Sequence, residues 1–134
     1  MYKNILVPVV LNDEQPVSAI NAVKALADSD TKVTFLHVIE ELPGYATVYV
    51  AGDFIEQSRK AVAARLKELT NTIEGSTSTV VSGHSARSIL SFAEENECDC
   101  IVVSSHKPGV QDYFLGGTAA RVVRYAKCAV HVIR

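Results

Sequence analysis

Three cysteines, four prolines and no tryptophan occur in 134 residues. An odd cysteine count gives no closed set of disulfides, and Cys98-Asp99-Cys100 is spaced too tightly for the usual zinc site. Cys98 and Cys100 flank the start of an apolar run and Cys128 precedes another, so they read as buried or half-buried thiols in a reducing compartment. An excess of one charge is missing too. Thirteen Lys and Arg stand against fifteen Asp and Glu, a net charge of −2 with a pI near 6.1. That balance lacks the electrostatic footprint of a nucleic-acid or anionic-membrane binder. No apolar run approaches the ~18 residues of a transmembrane helix. Met1-Tyr2-Lys3-Asn4 leads straight into an apolar segment, so no secretory leader is expected. The expectation is a cytoplasmic protein that neither inserts in membranes nor binds nucleic acid.

What is present is a compact-globule composition: 48% apolar and 21% charged residues, too apolar for a disordered chain. The length suits one domain, residues 1–134, with a single core. No repeat, linker or low-complexity tract divides it. Five segments read as buried strands: Ile5 to Val10, Val33 to Ile39, Thr79 to Val81, Ile101 to Val103 and Ala129 to Ile133. Nearly continuous apolar runs suit strands covered on both faces, hence a parallel sheet. His131 interrupts the last run, which suits a sheet edge or a pairing interface.

Helical periodicity fills the intervals. Pro16 follows Asn12-Asp13 where a cap and an N-terminal proline are favoured, and Ile20, Val23, Leu26 and Ala27 form one face. Ile55, Val62, Leu66, Leu69 and Ile73 stripe a long second helix. Ile89, Phe92 and Ala93 mark a third. Ala119, Val122, Val123 and Ala126 mark a fourth, with Arg121 and Arg124 turned to solvent. The alternation β-α-β-α-β-α-β-α-β predicts an α/β fold: an open, parallel, five-stranded sheet with helices on both faces. Two connections are long, 40–52 and 105–116, and long loops in small α/β domains are disproportionately functional.

In such a sheet ligands bind outside the carboxyl ends of strands, where strand order reverses. With the order 3-2-1-4-5, those ends are Val9-Val10-Leu11 and Ser104-Ser105, and Gly116-Gly117-Thr118 at the fourth helix faces the same crevice. Free N–H groups, the helix dipole and the Thr118 hydroxyl favour an anion there. A turn that needs positive φ, with Thr118 as an ordinary cap, accounts for the same residues equally well. Ser104, Ser105, His106 and Lys107 add hydroxyl, imidazole and ammonium donors. Adjacent Ser and His rarely meet in triad geometry, and neither a Gly-x-Ser-x-Gly elbow nor a Walker A sequence is present. His84 reads as an exposed turn residue and His37 as a satisfied core imidazole. Tyr45, Tyr49 and Phe54 read as local apolar packing before they read as a wall beside a ring.

From end to end the chain resembles the universal stress protein family. The resemblance rests on NILVPV at the start, LHVIE in the second strand, Gly83 after the third, and LGGTAARVVRYAKCAVHVIR at the close. SSHKPGVQDYFLGGTAARVVR is most similar to the F-type bacterial members. Nucleotide-binding members carry G-x2-G-x9-G-[ST] after strand four. Gly117-Thr118 match its end, whereas Ser104 and Lys107 stand at its first two glycines, and Gly109 does not restore the spacing. Val10 stands where the family usually has an aspartate, with Asp13 three residues on.

The resemblance implies an adenine nucleotide alpha hydrolase-like fold and a ligand, ATP or AMP, with or without magnesium. Pro8, Val9, Val10 and Val38, with Val103 beside them, are then expected on the nucleoside side. Ser104, His106, Lys107, Gly117, Thr118 and Ala119 are expected at phosphate or ribose. It also implies a homodimer through the last strand, Ala129 to Arg134. The alternative is a nucleotide-free dimer acting through unknown protein partners. A slow ATPase is not favoured: only Asp13 and Asp112 lie near enough in sequence to serve a metal or a nucleophile. No catalytic or metal-ligating residue is assigned.

Overall fold

The computed structural model describes residues 1–11, 15–40, 52–105 and 115–134. Its elements run β1 (Asn4–Pro8), α1 (Val17–Leu26), β2 (Lys32–Ile39), α2 (Gly52–Leu69), a 3₁₀ turn (Thr70–Thr72), β3 (Thr77–Ser82), α3 (Ser85–Glu95), β4 (Cys100–Ser104), α4 (Gly117–Tyr125) and β5 (Ala129–Ile133). The strands form one sheet in the order β3-β2-β1-β4-β5, and every pairing is parallel. The chain steps outward twice from β1, then crosses to the other side and steps outward again.

Right-handed crossovers convert that path into two layers of helices. The connections β1-α1-β2 and β2-α2-β3 run in one direction and place both helices on one face. The return over β1 and the step to β5 reverse direction and place α3 and α4 on the other. The two cores record this division. Ile5, Val7, Phe35, Cys100 and Val102 pack with Ala19, Ile20 and Val23 of α1 and Leu66 and Leu69 of α2. Leu6, Leu36, Ile101 and Val103 pack with Ile89 and Ala93 of α3 and Ala119 and Val122 of α4. Alternate residues of one strand serve opposite layers because side chains alternate across a pleated sheet.

Two helical stripes are narrower than their periodicity predicts. In α2, Leu66 and Leu69 are buried but Ile55 is 40% exposed and its neighbour Phe54 64%. The buried positions of this helix lie at its carboxyl-terminal end. Phe54 therefore does not supply the local packing expected of it, and Tyr45 and Tyr49 lie outside the described residues. In α4, Ala119 and Val122 are buried while Val123 is 44% exposed, because a nine-residue helix on the sheet buries a narrow face. Arg121 and Arg124 are exposed, as their spacing required.

The amino end of the sheet is tied by Asp99. Its carboxylate accepts the backbone N–H groups of Lys3 at 2.8 Å and Asn4 at 2.9 Å. Burial works against the charged form, but these bonds outweigh it and hold the carboxyl below its ordinary value of 3.8. Cys98 and Cys100 are buried and Cys128 half-buried, all as free thiols. Burial, helped by the charges of Cys128 and Asp99, pushes Cys98 and Cys100 up to about 11.

Candidate functional site

The reversal of strand order lies between β1 and β4, whose pairing matches Ile5 with Cys100 and Leu6 with Ile101. Beyond their carboxyl ends the backbone stays tethered. The Val9 N–H donates to the Leu36 carbonyl at 2.8 Å, and the Ser105 N–H donates to the Ile133 carbonyl at 2.7 Å. His37, in β2, places Nδ1 2.8 Å from the Val9 carbonyl. A carbonyl can only accept, so Nδ1 carries the proton and the ring clasps the exit of β1. His37 is thus satisfied, as expected, but half-buried at the sheet end rather than sealed in the core.

Ser105 is the joint between sheet and helix. It is 1% exposed, the only buried polar residue among those described. Its carbonyl accepts the Gly116 N–H at 2.5 Å, so the connection from β4 leaves and returns at one point. Period-two alternation puts Ser105 on the same side as Ile101 and Val103, and that pattern could have singled it out over exposed Ser104.

Gly116 is the N-cap of α4, with φ −58° and ψ 153°, and no side chain caps the helix. The first intrahelical bond runs from the Ala120 N–H to the Gly116 carbonyl at 2.9 Å. The N–H groups of Gly117, Thr118 and Ala119 therefore have no helical acceptor, and they face outward at the positive end of the dipole. Thr118 is an exposed residue inside the first turn and not the cap. Nor does this pair of glycines meet a demand for positive φ: among the described residues, that conformation belongs to Gly75, Gly83 and Glu97. A Cβ added to Gly117 would meet nothing within 4 Å. Neither backbone conformation nor protein packing requires glycine at 117.

Pro8 ends β1 with Val9 and Val10 just beyond it, Val103 and Ser104 end β4, Val38 lies near the end of β2, and Gly117 and Thr118 open α4. Val9 and Val103 are buried, Val10 is 63% exposed and Ala119 is buried at 2%. His106, Lys107, Gly109, Asp13 and Asp112 lie outside the described residues. His84 is exposed at the entry to α3, as its position after Gly83 suggested, but it is not idle. Arg121 Nη1 lies 3.3 Å from its Nε2. Among the described residues no group of three or more His, Cys, Asp or Glu side chains could hold a metal. Main-chain N–H groups at the start of α4 are the kind of donor that can hold an anion.

A family model described as the universal stress protein family matches residues 1–134. Universal stress protein G of Escherichia coli O157:H7 is 32% identical over 145 aligned positions, covering all of both chains. A universal stress protein solved in complex with cAMP superposes with a TM-score of 0.74 at 18% identity, over 99% of this chain and 97% of that one. A family protein from Arabidopsis thaliana with AMP bound superposes at 0.66 and 19% identity, over 98% of this chain and 90% of that one.

Proposed function

The chain belongs to the universal stress protein family, and we propose that it binds an adenine nucleotide, ATP or AMP, as a ligand or regulatory signal without turning it over. One observation carries the reading. Gly117 is an exposed glycine that neither φ nor packing explains, at the first residue of a helix without a side-chain cap, beside the strand-order reversal. A missing side chain there leaves room for a phosphate to approach three free N–H groups. The cAMP and AMP complexes of proteins with this fold support an adenine nucleotide as the ligand class. Pro8, Val9, Val10, Val38 and Val103 take the nucleoside side in this reading. Ser104, His106, Lys107, Gly117, Thr118 and Ala119 take ribose and phosphates, with or without magnesium. The domain spans residues 1–134, in a cytoplasmic homodimer joined through Ala129 to Arg134 of the edge strand.

A second reading has its own support. Val10 presents an exposed apolar surface where relatives usually have an acceptor, and β5 leaves one of its sides without a strand. A nucleotide-free dimer working through protein partners follows from those two features. Calorimetric titration of nucleotide-stripped protein with ATP and with AMP, each with Mg²⁺, separates the two. Saturable heat near one site per chain, lost in a folded Gly117→Glu variant, supports the first. No heat and no thermal stabilisation at millimolar nucleotide sinks it, and equal affinity in Gly117→Glu sinks the placement at α4. Conversion of ATP during prolonged incubation would overturn binding without turnover.

A further inference from the structure

On the sheet face opposite α1 and α2, α3 and α4 leave an open groove of about 630 Å³ between them. Its polar lining includes His84 and Arg87 from the start of α3 and Arg121 and Arg124 from α4, while Leu90 and Tyr125 supply apolar surface. The chain as a whole has more carboxylates than cations, yet this groove is basic. Its one carboxylate, Glu94, is engaged by Lys127 at 2.9 Å. Among the described residues none of the three arginines has a carboxylate partner. Arg121 Nη1 instead donates to His84 Nε2 at 3.3 Å, and a ring nitrogen that accepts from a guanidinium carries no proton. Arg124 lies over the Tyr125 ring, 5.5 Å from its centroid, and that ring is 60% exposed. Three guanidinium groups and an exposed aromatic ring are thus gathered where, among the described residues, no carboxylate pairs with the guanidiniums.

We propose that this groove docks an acidic, amphipathic helical segment of another protein. The spacing of the charges favours that occupant over the alternatives. Arg121 and Arg124 are three residues apart, so they succeed one another along one side of α4, while Arg87 stands on the opposite wall. The charges line a trough and do not converge on a point, as a single phosphate would need. α3 has 11 residues and is about 16 Å long, which matches roughly three turns of a partner helix. Such a helix sets carboxylates at i and i+3 or i+4 against the arginines and an apolar side chain against Leu90 and Tyr125. A second copy in two-fold register would set arginines against arginines, which opposes self-association through this face. A nucleic acid would call for a broader positive field than a chain of net charge −2 provides.

The test is an NMR titration of the isotope-labelled full chain with an acidic helical peptide of about three turns, Glu alternating with Leu at helical spacing. A Gln-for-Glu peptide and sodium tripolyphosphate are run as comparators. Docking predicts saturable shifts confined to 84–94 and 120–126, absent with the Gln peptide, with affinity falling about tenfold or more between low and physiological salt. The folded double variant Arg87→Glu with Arg124→Glu is expected to weaken binding by about tenfold or more while thermal stability stays unchanged. If that variant unfolds, the Gln peptide and the salt series still decide. Shifts elsewhere, equal binding of the Gln peptide, or the same shifts at the same strength with tripolyphosphate would overturn the proposal. Concentration-dependent shifts of the same residues without peptide would identify a second copy as the occupant instead.

Discussion

Replacing Gly117 by alanine separates a glycine kept for the fold from one kept for a ligand. The residue opens α4, its φ is not in the left-handed region, and an added Cβ meets nothing within 4 Å. Alanine restricts the unfolded chain more than glycine does, so the substitution is expected to stabilise by about 0.4–1 kcal/mol. For a domain of this size that is a rise of about 2–6 °C in Tm. Against a nucleotide the sign reverses. A methyl group between the ligand and the free N–H groups acts as overpacking of about 1–3 kcal/mol, or roughly 5- to 150-fold in Kd. Differential scanning fluorimetry without ligand and calorimetry with ATP measure the two effects on one sample. A variant that loses more than about 1 kcal/mol of stability would show that glycine is structural there. Unchanged affinity would show that no ligand approaches that Cα. Gly83 is the internal control: at φ 144°, with an added Cβ 2.8 Å from Ser88 Oγ, Gly83→Ala should cost about 1–3 kcal/mol and leave nucleotide affinity alone.

Other expectations follow from particular contacts. Asp99→Ala frees the Lys3 and Asn4 N–H groups and should cost about 1–2 kcal/mol in chemical denaturation, a value reduced from the buried case by partial exposure. Because the folded pKa is lowered, the stabilisation is complete above the unfolded value near 4 and fades as pH falls through the folded one. The variant's stability profile should lack that acid limb, and a limb identical to the parent's would refute the assignment. Cys98 and Cys100, pushed to about 11, should react with a disulfide reagent at pH 8 on the order of a hundredfold more slowly than a free thiol until the chain unfolds. Fast labelling of Cys98 and Cys100 in the native state would contradict their burial. Val10→Asp, at a site 63% exposed, should leave stability within about 0.5 kcal/mol and tighten ATP binding by about 5- to 150-fold if an acceptor there meets the sugar or base. Calorimetry reads the change, and no tightening would detach Val10 from the nucleoside.

Residue order alone determined the alternation of elements, because strand and helix leave different periods in the sequence. The uninterrupted apolar character of Ile5 to Val7 and Ile101 to Val103 announced strands covered on both faces, and both are fully or nearly fully buried between two helical layers. With the strand order 3-2-1-4-5, the reversal between β1 and β4 was legible too. Exposure at the margins was not. Ile55 and Val123 have the spacing of core residues, but whether a helix face meets the sheet depends on where the helix starts over it. Only the folded chain decided that Gly116 caps α4, that Ser105 closes the base of the long connection, and that Gly117 needs no special backbone. Those properties depend on φ and on contacts between residues far apart in sequence. The basic groove has the same origin. Arg87 and Arg121 are ordinary solvent-facing residues of separate helices, and they become one surface only because two crossovers lay α3 and α4 side by side on the same face of the sheet.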